Sequence, residues 1–218
     1  MNYLAHALSH LDEPYVLAGT AVPDWLNVAD RQVRVRSKHA LPFVADADER
    51  LAAVARGVVR HHADDAWFHE TAVFHELCWR FTVEIRDRLP PDEGFRPSFL
   101  GHILVEILLD ATLIADSPAL LESYYRAAAQ VDGRVVQEAV NRMAPRRTER
   151  LAPLIPHFHA AGFLWDYLDD QKLLRRLNQV MDRVRLPALP PDFCGFLPAA
   201  RRTIGDRQAE LLAQPAAL

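Results

Sequence analysis

Apolar residues along this chain recur at intervals of three and four, the period of a helix buried on one side. Read with the prolines as punctuation, the pattern predicts a short helix over Tyr3 to Leu11 and a second over Pro14 to Ala21, ahead of Pro23. Asp30 to Pro42 mixes basic residues with valines and reads as an extended loop; Ala45 to Arg88 is long enough for one or two helices, closed by Pro90 and Pro91. Further helices are expected from Ser117-Pro118 through Val131, over Gly133 to Met143, over Arg146 to Ala161 and over Leu164 to Val184. A proline-rich connector, Leu186 to Phe193, precedes a terminal helix over Leu197 to Ala213. The predicted fold class is all-α, a single-domain helical bundle with a metal site between core helices.

Two segments depart from plain amphipathicity. Phe99 to Ala115 is an apolar run broken only by His102, Glu106 and Asp110, each four residues after the last. In a helix these three lie on one stripe while Ile, Leu and Val cover the rest, so the helix reads as buried. Gly57 to Phe74 repeats the arrangement with His61, Asp65 and His69, again four apart and drifting about 40° per step. An ionised carboxylate left unpaired in an apolar core costs several kcal/mol, so these positions require a metal, a basic partner or a raised pKa. A single buried His or Asp is ordinarily a hydrogen-bonded structural residue. Six on two stripes, offering imidazole nitrogen and carboxylate oxygen together, point to a divalent metal such as Zn²⁺, Mn²⁺ or Fe²⁺, held as one ion or two. Asp24, after Pro23, is expected to turn inward from a loop at a helix end, and His6 and His10 add imidazoles on the first helix. Metal-bound water becomes a hydroxide nucleophile, which makes phosphoester hydrolysis the natural chemistry. His62 and Asp64 lie off the stripe, as solvated or supporting groups, with His62 placed to substitute for His61. His75 and Glu76 continue the pattern weakly, and His157 and His159 read as surface or packing residues.

Composition narrows this further. The chain has 218 residues, is 50% hydrophobic and carries a net charge of −4, enough for a sizeable core and without the basic balance of a nucleic-acid binder. Eight glycines argue for helices over sheets, and two isolated cysteines form neither a disulfide framework nor a Cys zinc site, which suits a reducing cytoplasm. Neither a signal peptide nor a membrane span is expected. Basic residues gather at Arg31, Arg34, Arg36 and Lys38, just before His39, and again at Arg56 and Arg60. Arginine's planar fork suits phosphate, so Arg34, Arg36, Lys38 and Arg60 are candidates for a substrate phosphate or an acidic partner, set against a solvated loop. Trp25, Trp67 and Phe68 flank the acidic and imidazole positions and read as core aromatics, with the wall of a pocket as the alternative.

At these residues the chain resembles the acyl carrier protein phosphodiesterases, helical metal-dependent enzymes related to the HD phosphohydrolases. The likeness lies in the MNYLAH opening, in AGTAVPDWL with Gly19 and Asp24 at the positions of a Gly-Asn turn and its Asp, and in the His61/Asp65 pair. VEILLDATL, with Glu106 and Asp110, is similar to that family's Asp-x-x-x-Asp-His segment, and FLWDYLDDQKLLRRLNQVM to its C-terminal region. Thr20, His69 and Ala111 depart from the family's Asn, Asp and His, and His102 is an added imidazole. The resemblance implies cleavage of 4′-phosphopantetheine from an acidic acyl carrier protein with Mn²⁺. It implies Asp24, His61, Asp65 and Asp110 as core metal ligands, completed by His69, His102 and Glu106, with Asp65, Asp110 and His69 in catalysis. His61/Asp65 and His102/Glu106 also resemble the His-x-x-x-Asp and His-x-x-x-Glu helices of zinc-dependent phospholipase C and nucleases. The GTAVPDW turn and the later His39 add to that second likeness, which implies a smaller phosphoester as substrate; a metal-binding helical protein without activity is the third expectation.

Overall fold

Helix starts in this chain are set by proline and by short polar caps. In a computed structural model that describes residues 1–91 and 93–213, prolines stand in the first turn of α2 (Pro14–Ala29), α6 (Pro97–Asp116) and α11 (Leu197–Leu211), where a missing N–H goes unneeded. Thr71 and Asp132 cap α5 (Ala72–Arg86) and α8 (Gly133–Met143) by accepting backbone N–H groups. Asp169 does the same for α10 (Asp170–Arg183), and Gly162, at φ 54°, ends α9 (Leu151–Ala161) in the left-handed region. The remaining α-helices are α1 (Tyr3–Ala7), α3 (Ser37–Ala40), α4 (Glu49–Glu70) and α7 (Pro118–Ala128). Among the described residues there is no strand, and the all-α class holds.

Backbone contacts divide the chain into two compact units. The first comprises Met1, residues 3–66 and residues 118–162; the second comprises Asn2 and the described residues of 67–117 and 163–213. In the first unit a buried core gathers Val22, Trp25 and Leu26 of α2, Leu51, Val54 and Val58 of α4, and Val136, Val140 and Ile155 of α8 and α9. Here α2 and α4 cross backbone to backbone. A Cβ on Gly57 would lie 2.1 Å from the Val16 carbonyl oxygen and 2.6 Å from Gly19 Cα, so only glycine fits at both positions. In the second unit α5 and α6 pack side by side, with Gly101 of α6 against the Cys78 carbonyl, and α11 covers α6. Helix α6 is long and apolar enough to cross a membrane, with a mean hydropathy of 1.7; 61% of that stretch is buried within the protein.

One expectation about the chain path changes. Helix α2 does not stop before Pro23 but runs through it to Ala29, so Gly19 and Asp24 lie on a helix rather than on a turn. Proline inside a helix removes one backbone donor, here the one for the Gly19 carbonyl. Burial of Val22, Trp25 and Leu26 on both sides of Pro23, each at 0% exposure, outweighs that loss.

Candidate metal centres

The structure gathers the candidate residues into two trios. In the first unit, the ligand atoms of His6, His61 and Asp65 all lie within 4.8 Å of one another, and the two imidazoles stack at 4.3 Å between ring centres. Asp65 Oδ1 is 3.2 Å from His6 Nε2, and Asp65 Oδ2 is 3.3 Å from His61 Nε2. Donors on a tetrahedral ion with bonds of about 2.0–2.1 Å stand roughly 3.3 Å apart. Each imidazole nitrogen therefore stands at that spacing from one oxygen of the Asp65 carboxylate.

Supporting contacts aim these nitrogens. His61 Nδ1 lies 2.8 Å from the Thr20 carbonyl, brought there by the glycine crossing four residues earlier on α4. With Nδ1 donating to that oxygen, the Nε2 lone pair faces a carboxylate, an arrangement that only a proton or a cation reconciles. His6 is 3% exposed, and its Nε2 has no hydrogen bond of acceptable geometry, a buried polar atom that a metal would satisfy. Its Nδ1 is 3.4 Å from Asp64 Oδ2, while Asp64 Oδ1 is 2.7 Å from Arg60 Nε. Burial alone would lower the His6 pKa, but Asp64 and Asp65 overcome it and raise it. Burial likewise opposes ionisation of Asp65, yet its contacts with His6 and His61 hold the carboxyl well below the usual range. The Met1 ammonium, 2.8 Å from Asp65 Oδ1, adds to that effect.

The second trio belongs to the second unit: His69, from the last turn of α4, with His102 and Glu106 of α6. Glu106 Oε1 is 2.8 Å from His69 Nε2 and 3.2 Å from His102 Nε2, and the rings are 4.8 Å apart between centres. The first of these distances must open by roughly half an ångström to admit an ion. Each trio offers two imidazoles and one carboxylate, the three-ligand set that leaves a coordination position for water or substrate.

Several expected positions lie elsewhere. His61, Asp65 and His69 do not act as one stripe: two steps of 40° carry His69 about 80° around α4, away from His61. Asp110 is fully buried two turns beyond His102 and belongs to neither trio, nor does Asp24, half-buried on α2. His62 does not replace His61; its Nε2 meets the Val35 carbonyl at 2.8 Å. Arg60 is taken up by Asp64 rather than left for a phosphate. Arg34, Arg36 and Lys38 are exposed, and with His39 they line a cleft separate from the ligand atoms of the first trio.

His6 and Asp64 are larger members of the site than their sequence positions suggest. The His61-to-Asp64 spacing places Asp64 about 300° around α4, toward the first helix rather than along the stripe, and that geometry is the one available signal. Of the two readings of His159, packing holds: neither ring nitrogen has a hydrogen bond, its ring stands 5.8 Å from Trp25, and burial pushes its pKa down to about 4. Comparison with protein-family models, with curated proteins and with solved structures gives no match.

Proposed function

We propose that the chain is a metal-dependent phosphodiester hydrolase, with divalent ions, Mn²⁺ or Zn²⁺, held by His6/His61/Asp65 and by His69/His102/Glu106. The observation that carries this reading is the first trio: three buried or half-buried donors within 4.8 Å of one another, among them a buried His6 Nε2 whose 3.2 Å approach to Asp65 Oδ1 lacks hydrogen-bond geometry. A bound divalent ion supplies a water of lowered pKa and neutralises charge on a phosphoryl oxygen. The chain's own residues do the rest. Thr20 fixes His61 through Nδ1, and Asp64 turns His6 and is itself held by Arg60, so each imidazole presents Nε2 to the common point. Asp65 contributes charge that stays ionised through the neutral range. Asp24 and Asp110 have no ligand role in this reading.

The substrate follows from the resemblance: the phosphodiester joining 4′-phosphopantetheine to an acidic acyl carrier protein. The second trio supports a different substrate, because His102 and Glu106 reproduce the His-x-x-x-Glu pair of zinc-dependent phospholipase C and nucleases with a third donor in place. Incubation of metal-loaded protein with holo carrier protein and, separately, with bis(p-nitrophenyl) phosphate separates the readings. Loss of the pantetheine mass supports the first, turnover of the aryl diester alone supports a smaller phosphoester, and turnover of neither leaves a metal-binding protein without hydrolase activity.

A further inference from the structure

We infer that the first unit carries a second, metal-independent ligand site: a cationic cleft that binds the phosphoryl group of a small phosphate or phosphomonoester. The cleft has a volume of about 240 Å³ and is lined by Arg34, Arg36, Lys38, His39 and Arg146. Drug-sized ligands occupy roughly 300–1,000 Å³, so a smaller anion suits the space.

The frame under these cations is rigid. Val33 and Val35 are 1% and 2% exposed, which sends Arg34 and Arg36, the residues that alternate with them, outward on the same side. The Val35 carbonyl is held by His62 at 2.8 Å, and Val33 N–H donates to the Asp30 carbonyl at 3.0 Å. Arg146 comes from the loop after α8, and that loop is pinned twice. Thr148 Oγ1 donates to Asp30 Oδ2 at 3.1 Å, and Asn141 brackets the Thr148 backbone through both its side-chain oxygen and nitrogen.

The charges themselves lack counter-charges. Among the described residues, none of Arg34, Arg36, Lys38 and Arg146 lies within 4.0 Å of a carboxylate, whereas Arg56, Arg60, Arg142, Arg176, Arg201 and Arg207 all do. The nearby Asp30 carboxylate is occupied by the Gln32 N–H and the Thr148 hydroxyl. In a chain of net charge −4, four cations around one depression with no carboxylate partner repel one another, and a dianion relieves that repulsion. Three guanidinium forks offer the planar paired donors that phosphoryl oxygens accept, which favours phosphate over a halide or a single carboxylate.

The test uses the full chain stripped of metal with EDTA, titrated calorimetrically at low ionic strength with inorganic phosphate and with phenyl phosphate. Saturable one-site binding is expected for both. Equal affinities identify the phosphoryl group alone as the ligand, and tighter binding of phenyl phosphate identifies an ester. Arg36→Ala and Arg146→Ala, both at exposed positions, should each weaken binding about tenfold, the loss of one charge-assisted contact. Binding should also weaken as salt rises, because the cleft is open to solvent. A His61→Ala/Asp65→Ala double variant should keep phosphate binding while losing the ion of the first trio, which separates this site from the hydrolase reading. Absence of saturation at tens of millimolar, unchanged binding in both arginine variants, or binding of heparin or duplex DNA without binding of phosphate overturns the assignment.

Discussion

Replacing Gly57 by alanine tests the link between the helix crossing and the metal centre. The new Cβ would stand 2.1 Å from the Val16 carbonyl oxygen and 2.6 Å from Gly19 Cα, against an ordinary contact of 3.4–4 Å. Both neighbours are backbone, so neither can rotate aside, and α2 and α4 must part by more than an ångström. Overpacking of this kind costs about 1–3 kcal/mol, here at the upper end, while the helix propensity of alanine over glycine returns about 1 kcal/mol. The net loss is about 2 kcal/mol, or roughly 4–8 °C in Tm for a chain of this size. Parting the helices also stretches the His61 Nδ1 to Thr20 contact from 2.8 Å beyond hydrogen-bonding range, so metal affinity should fall with stability. Gly205→Ala is the matched control: it is an exposed helical position whose Cβ would meet nothing closer than Thr112 Cγ2 at 4.0 Å. It should raise stability by up to about 1 kcal/mol. Thermal melts of the three proteins with and without Zn²⁺ read both effects. A Gly57→Ala protein as stable as the parent, with unchanged zinc affinity, would show that the crossing neither strains nor positions His61.

Other perturbations probe the site independently. Asp64→Asn leaves Arg60 and His6 without their shared carboxylate and should weaken metal binding about 10- to 100-fold by calorimetry; unchanged affinity would remove Asp64 from the site. His159 is neutral in the fold down to a pKa of about 4 but titrates near 6.5 when unfolded, so the unfolded state binds the extra proton in that window. Stability should therefore decline as pH falls from about 6.5 to about 4, by at most about 3 kcal/mol and by about half that after allowing for partial exposure. In His159→Leu this part of the pH slope should vanish in urea denaturation curves. Zn²⁺ at a hundred times the Kd of each trio should stabilise the parent by about 2.7 kcal/mol per occupied site, and His6→Ala should lose the first trio's share, a difference that differential scanning fluorimetry resolves.

Much of this arrangement is legible in the chain. The four-residue spacings of His61/Asp65 and His102/Glu106 correctly bring each pair together, because one step of 40° keeps neighbours in reach. The same spacing misleads over two steps, and so His69 leaves His61 for the α6 pair while Asp110 leaves His102. Periodicity offers His6 only as an added imidazole on the first helix, since its place beside Asp64 and Asp65 depends on how that separate helix packs. Pro23 reads as a stop in isolation, but the apolar residues around it carry α2 through. The cationic cleft shows the same limit: Arg34, Arg36 and Lys38 stand together in sequence, whereas Arg146 joins them through tertiary contacts such as Asp30 to Thr148.

If each His/His/carboxylate trio holds a divalent ion, the two must load independently. Metal content is read by mass spectrometry after saturation with Zn²⁺ and desalting, in the parent and in His61→Ala/Asp65→Ala and His102→Ala/Glu106→Ala variants whose helicity is checked by circular dichroism. Two equivalents in the parent and one in each variant is the predicted result. A parent that retains no metal, or variants that retain as much as the parent, would contradict it.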